Sequence, residues 1–167
     1  HQEIVRILKD LTNTIRIFVP NIISFQNYLI QLDIIGAKAK YALKINACLP
    51  KLTNEKKIFF KNAYHPILLL KNKELKLETV PQTLELNEKQ QIIVISGPNA
   101  GGKSITLKTI GLLQIMFQSG MLISVDERSS SCFFEKILTD IGDNQSIENQ
   151  LSTYSYRLKN MRNFLRR

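Results

Sequence analysis

The chain has two cysteines and two histidines in 167 residues, and each shortage excludes a kind of chemistry. Cys48 and Cys132 lie far apart with no C-x-x-C partner, so they read as buried, reduced thiols of a cytosolic, cytoplasmic protein. His1 and His65 join them at no spacing that suits a metal ion. No apolar run approaches membrane-spanning length, so no membrane partner is expected. Repeats and low-complexity tracts are missing. His1-Gln2-Glu3 is no signal peptide and carries no initiator methionine, and Phe164-Leu165-Arg166-Arg167 falls inside a periodic segment, so both ends read as cut. Acids are scarce too, 14 against 23 Lys and Arg, for a formal charge of +9. That excess permits a polyanionic partner without demanding one. Its one local concentration, Arg157, Lys159, Arg162, Arg166 and Arg167, reads as a solvated helix face.

What is present is enough apolar residue, 44%, for a core of one domain or of a domain plus a piece of another. From Ile4 to about Cys48 the pattern is helical. Ile4, Leu8, Leu11, Ile15 and Phe18 recur at alternating four- and three-residue steps. Pro20 breaks or kinks this stripe, Asn21 could cap a new start, and Ile22, Phe25, Leu29 and Leu32 continue it until Leu49-Pro50. Short strands are expected next, at Ile58-Phe59-Phe60 and Leu84-Glu85-Leu86, with Asn62–Pro66 as a loop and Lys71–Glu74 as an exposed turn. Gln91–Ser96, Met121–Ser124 and Lys136–Thr139 are further expected strands, and Tyr154, Leu158, Met161 and Leu165 mark one face of a last helix.

The informative motif is Gly97-Pro98-Asn99-Ala100-Gly101-Gly102-Lys103-Ser104, which fits G-x-x-x-x-G-K-[ST]. It follows the β-branched run Gln91–Ser96 and precedes a helical pattern ending at Gly120, the strand–loop–helix context of a phosphate-binding P-loop. Glycines let the loop turn its N–H groups inward around a β-phosphate. The following helix points its positive end at the same place. Lys103 supplies an ammonium for the β- and γ-phosphates, and Ser104 a hydroxyl ligand for Mg²⁺. The expected ligand is a nucleoside triphosphate, ATP.

A magnesium-binding acid should end an apolar strand. Leu122–Glu127 imitates that pattern, but Ser124 interrupts it and Arg128-Ser129-Ser130-Ser131 reads as a surface loop; in nucleotide-binding folds of this kind the acidic strand usually comes later. The second informative block is Asp140–Tyr154, a polar approach containing Gly142 and Gln145 that runs into a helix start at Ser152-Thr153. A serine at a helix N-terminus suits a phosphate presented by a second subunit.

Taken with Leu107–Leu113, Leu32–Ala39 and His65-Pro66-Ile67-Leu68, these blocks resemble the ATPase domain of the MutS family, and most of all its second branch, which suppresses recombination and carries an Smr nuclease domain. The resemblance implies an α/β fold: the N-terminal portion of an ABC-type P-loop NTPase domain at 51–167, ending before the acidic Walker B strand, preceded by long lever helices at 1–50. It implies a homodimer with two ATP molecules sandwiched between subunits. Gly97, Pro98, Asn99, Ala100, Gly101, Gly102, Lys103 and Ser104 would hold nucleotide and Mg²⁺, and Gln145 would sense the metal and γ-phosphate. Ser152 would reach the γ-phosphate on the partner, and Val80, beside Pro81, would meet the adenine. DNA would be held by a clamp domain missing from this chain, and collided ribosomes are a second target of the branch. Arg157 departs from the histidine common at its position. Two competitors are a transporter-type ABC subunit, which would place a Leu-Ser-Gly-Gly-Gln element after a longer insertion, and an interaction module that keeps its P-loop without hydrolysis.

Overall fold

The computed structural model describes residues 2–98, 102–140, 161, 162 and 164. Its elements are α1 (Gln2–Arg16), α2 (Val19–Lys44), β1 (Lys51–Leu52), β2 (Ile58–Ala63), α3 (Pro66–Glu74), β3 (Gln82–Leu86), α4 (Lys103–Gln118) and β4 (Ser130–Ser131). They divide into two compact units, residues 1–41 and residues 42–167. The mixture of helix with a small sheet is the α/β composition that the sequence pattern predicts.

The first unit is helical. Helix α1 buries no residue, and its stripe of Ile4, Leu8, Leu11 and Ile15 is open to solvent. The break comes at Ile17-Phe18, where Phe18 N–H bonds the Ile15 carbonyl at 2.9 Å and the chain restarts as α2 at Val19. Pro20 therefore lies in the first turn of α2, where a missing N–H leaves no bond unmade. Asn21 is inside the helix rather than its cap, a one-turn correction to the sequence reading.

The second unit is built on a four-stranded sheet in the order β1-β4-β2-β3. Strand β1 runs parallel to β4, while β2 is antiparallel to both β4 and β3. Alternation along β2 sends Ile58 and Phe60 into the core. There they join Leu113, Met116 and Phe117 of α4 and also Ile123, Val125 and Cys132. Helix α4 ends where Gly120 takes a left-handed φ of 68° and Met121 N–H reaches back to the Met116 carbonyl at 3.0 Å.

Several expected elements differ. Gln91–Ser96 is not a strand: Ile92 is 83% and Val94 85% exposed, and among the described residues no strand pairs with it. A strand is a paired state, and β-branched composition cannot make one without a neighbour. Lys136–Thr139 is likewise not a strand, and of Met121–Ser124 only Ile123 forms a β-bridge among the described residues, to Cys48. Lys71–Glu74 is the last turn of α3 instead of an exposed turn, because His65-Pro66 starts a helix that carries its polar residues to solvent. Asn62 and Ala63, expected in a loop, belong to β2, where Asn62 takes a φ of 49° at the register irregularity between Phe60 and Ala63.

The largest correction concerns the serines after Arg128. They are not a surface loop. Ser129 and Ser131 are fully buried, and Ser130-Ser131 is the strand between β1 and β2. Each hydroxyl has a partner: Ser129 Oγ accepts from Lys61 N–H at 3.0 Å and Ser131 Oγ donates to Gln114 Oε1 at 2.7 Å. Small polar groups with satisfied hydrogen bonds are buried readily, so composition alone misjudged the segment.

Candidate phosphate-binding site

The sequence motif converges on the N-terminus of α4. Gly102 is the residue before the helix and takes a left-handed conformation, φ 76° and ψ 10°, that a side chain would strain. Gly97 has a φ of 148°, again on the side of the map open to glycine. Gly102 offers no capping side chain, and its carbonyl accepts from Thr106 N–H at 2.9 Å and Thr106 Oγ1 at 3.1 Å. By helix geometry the N–H groups of the first turn have no carbonyl within the helix to bond, and they point out of its end.

Lys103 is the first residue of α4. The first turn contains no acid, so a cation stands at the positive end of a helix dipole. That arrangement is unfavourable unless negative charge is supplied. In this structure the Lys103 ammonium is satisfied by the carbonyl oxygens of Gly97 and of Pro98, the latter at 2.7 Å. Gly97 and Pro98 thus lie against the lysine that begins the helix. Ser104 lies beside it with an exposed side chain. An ammonium, a hydroxyl and unbonded helix N–H groups at one helix end form a donor set suited to an anion with several oxygens, and the hydroxyl suits a small hard cation bridging that anion. Asn99, Ala100 and Gly101 lie outside the described residues, as do Gln145 and Ser152. Val80 lies between α3 and β3 and is 78% exposed.

The rest of α4 holds this end in place through contacts that the sequence reading did not single out. Gln114 Nε2 donates to the Cys132 carbonyl and to Gln118 Oε1, each at 2.9 Å. Gln118 in turn donates to the Phe134 carbonyl and accepts from Phe134 N–H, both at 3.0 Å. The available signal was two glutamines four residues apart beside the apolar positions Leu113, Met116 and Phe117.

Two ionisable groups elsewhere in the unit have settled roles. His65 caps α3, its Nδ1 accepting from Leu68 N–H at 3.4 Å. Burial, assisted by the nearby positive charge of Lys108, holds the imidazole below its ordinary pKa. Asp126, the acid of the imitation strand, is gripped by Arg128, whose Nε donates at 2.7 Å and Nη2 at 2.6 Å. Those hydrogen bonds hold its carboxyl far below the usual range. Asp126 also lines an open cavity of 510 Å³ with Asn46, Asn62, Tyr64 and Lys73, which contains none of the described phosphate-loop residues. Among the described residues no group of His, Cys, Asp and Glu could hold a metal ion, and no helix is long and apolar enough to cross a membrane.

Residues 93–167, which include this loop and α4, match the family model of MutS domain V. The chain belongs to the MutS family. Its curated relatives lie in the second branch: it is 47% identical to the endonuclease MutS2 of Finegoldia magna over 160 residues, covering 96% of this chain and 20% of that protein. The corresponding protein of Lactobacillus acidophilus is 45% identical over 154 residues, covering 92% of this chain and 19% of the relative. That of Ligilactobacillus salivarius is 41% identical over 160 residues, covering 96% and 20%. The chain therefore spans about a fifth of the length of the MutS2 proteins it matches. Domain V is the ATPase domain of MutS proteins, so the candidate phosphate loop lies within the matched part of this one.

Proposed function

We propose that the chain is the nucleotide-binding part of a MutS-type ATPase that acts as a homodimer. The observation that carries the reading is the Lys103 ammonium at the N-terminus of α4, next to an exposed Ser104 and behind a left-handed Gly102. An ATP triphosphate arriving at this end exchanges the carbonyls of Gly97 and Pro98 for phosphate oxygens on Lys103. Loop N–H groups of Gly97, Asn99, Ala100, Gly101 and Gly102 would surround the β-phosphate, Pro98 having none to give, and Val80 would pack against the adenine. Ser104 would hold Mg²⁺, which would neutralise phosphate charge.

Hydrolysis is the attack of water on the γ-phosphorus with ADP leaving. Lys103 stabilises charge on the transferring oxygens, Gln145 senses the γ-phosphate, and Ser152 of each subunit reaches the nucleotide of the other. Closing of the dimer around two nucleotides is the output, and it changes the grip of a distant clamp on mismatched or branched DNA. Suppression of recombination follows from that grip, and a stalled ribosome is the second candidate target in the cytoplasm. The name endonuclease belongs to the relatives, and cleavage is assigned to a domain outside this chain. The transporter reading is not favoured by relatives that carry the name MutS2.

A nucleotide titration tests the site. Lys103→Ala should weaken MgATP binding severely, and unchanged affinity would sink the reading. In the complete protein, Ser152→Ala should leave nucleotide binding by the monomer nearly intact while impairing hydrolysis. Loss of binding with hydrolysis per bound nucleotide preserved would refute a role across the dimer.

A further inference from the structure

Helix α4 meets the core through Leu113, Met116 and Phe117, yet between them stands Gln114, only 3% exposed. Its amide is fully used: Oε1 accepts from Ser131 Oγ at 2.7 Å, and Nε2 gives one hydrogen each to the Cys132 carbonyl and Gln118 Oε1. The Cys132 carbonyl fixes which end of the amide faces it, since only the NH₂ can donate. Ser131 faces two ways. While its hydroxyl holds Gln114, its carbonyl accepts from Thr53 N–H at 3.1 Å, and its register partners are Leu52 on β1 and Ile58 on β2.

Apolar packing is non-directional and tolerates small rotations of a helix on a sheet. Hydrogen bonds with set donors and acceptors do not. A leucine would fill the space of Gln114 with no polar group of its own, and the amide contributes alignment beyond burial. Lys103 is eleven residues earlier on the same helix. At 3.6 residues per turn that is three turns and about 20°, so the two residues lie on one face roughly 16 Å apart along the axis. Any rotation or slide of α4 permitted at Gln114 is carried to Lys103 and Ser104.

We propose that Gln114 is a positioning residue for the phosphate loop, its bonds to Ser131 and Cys132 setting the rotation and height of α4 and thereby of Lys103 and Ser104. This rests on the nucleotide reading above. The test is calorimetric titration of the complete protein with ATP, with and without Mg²⁺, alongside thermal unfolding. Gln114→Leu should lower MgATP affinity about fivefold or more and shrink the gain that Mg²⁺ gives. The double variant Gln114→Leu/Ser131→Ala, which also removes a hydroxyl left with only the Cys132 carbonyl at 3.3 Å, should regain part of the lost thermal stability while affinity stays low. Affinity within about twofold of wild type in folded Gln114→Leu, or affinity that recovers together with stability in the double variant, would overturn the positioning role. Should Gln114→Leu fail to fold, Ser131→Ala alone gives the same comparison, with a smaller loss of affinity expected and no loss overturning the proposal. Lys103→Ala separates the two readings. If it binds ATP as wild type does, the nucleotide reading falls and the positioning role with it. If it loses binding while Gln114→Leu does not, only the positioning role falls.

Discussion

Ser131 Oγ donates to Gln114 Oε1 at 2.7 Å, and both residues are closed off from water. The pair ties the helix behind the candidate phosphate loop to the strand between β1 and β2. Ser131→Ala leaves an amide oxygen buried without its partner, and such a group costs about 1–3 kcal/mol. Urea denaturation should show that loss as a lower midpoint with an unchanged slope. A midpoint equal to wild type would mean that water or a rearranged side chain replaces the hydroxyl.

The glycines of the loop and of the helix should respond with opposite signs. An added Cβ meets nothing within 4 Å at either Gly102 or Gly111. At Gly102 the φ of 76° makes Gly102→Ala unfavourable through the backbone alone, by about 1–2 kcal/mol, and it should weaken nucleotide binding as well. Gly111 lies inside α4 without a left-handed φ, so Gly111→Ala should stabilise by about 0.4–1 kcal/mol. Thermal unfolding of the two variants side by side checks both signs. Equal effects would contradict the loop conformation described here.

His65 gives the second unit a pH dependence. Its neutral Nδ1 accepts the Leu68 N–H, and burial with Lys108 lowers its pKa below the ordinary value of 6.5. The unfolded chain therefore takes up the proton first as pH falls. The stability contributed by the cap is fully present above about 6.5 and is lost as pH drops through the lowered folded value. His65→Asn keeps a capping side chain without that titration, so stability between pH 7 and 5 should vary less than in wild type. An identical profile would remove His65 as the source.

Much of this was legible in residue order. The helical stripe, the strand at Ile58–Phe60 and the alternation of Leu84–Leu86 each follow from local periodicity, and β2 and β3 lie there. Gly102, Lys103 and Ser104 stand at a helix N-terminus because glycine spacing and helix pattern are both local signals. What the sequence could not convey was pairing. Gln91–Ser96 has strand composition but no strand partner among the described residues, and Ser129–Ser131 has loop composition but two strand neighbours and buried donors and acceptors. Only the position of Lys61, Gln114 and Thr53 in space makes the two polar residues Ser129 and Ser131 suitable for a core. The roles of Gln145 and Ser152 rest on motif order, since both lie outside the described residues.

Phe134 offers its N–H and its C=O to one side chain, Gln118, in the paired pattern a neighbouring strand would use. With Gln114 on the buried Cys132 carbonyl, α4 supplies side-chain partners for main-chain groups on either side of Phe133. Two glutamines thereby take the place of a neighbouring strand at this point, and replacing Gln118 would leave the Phe134 N–H and C=O without the partners they have here.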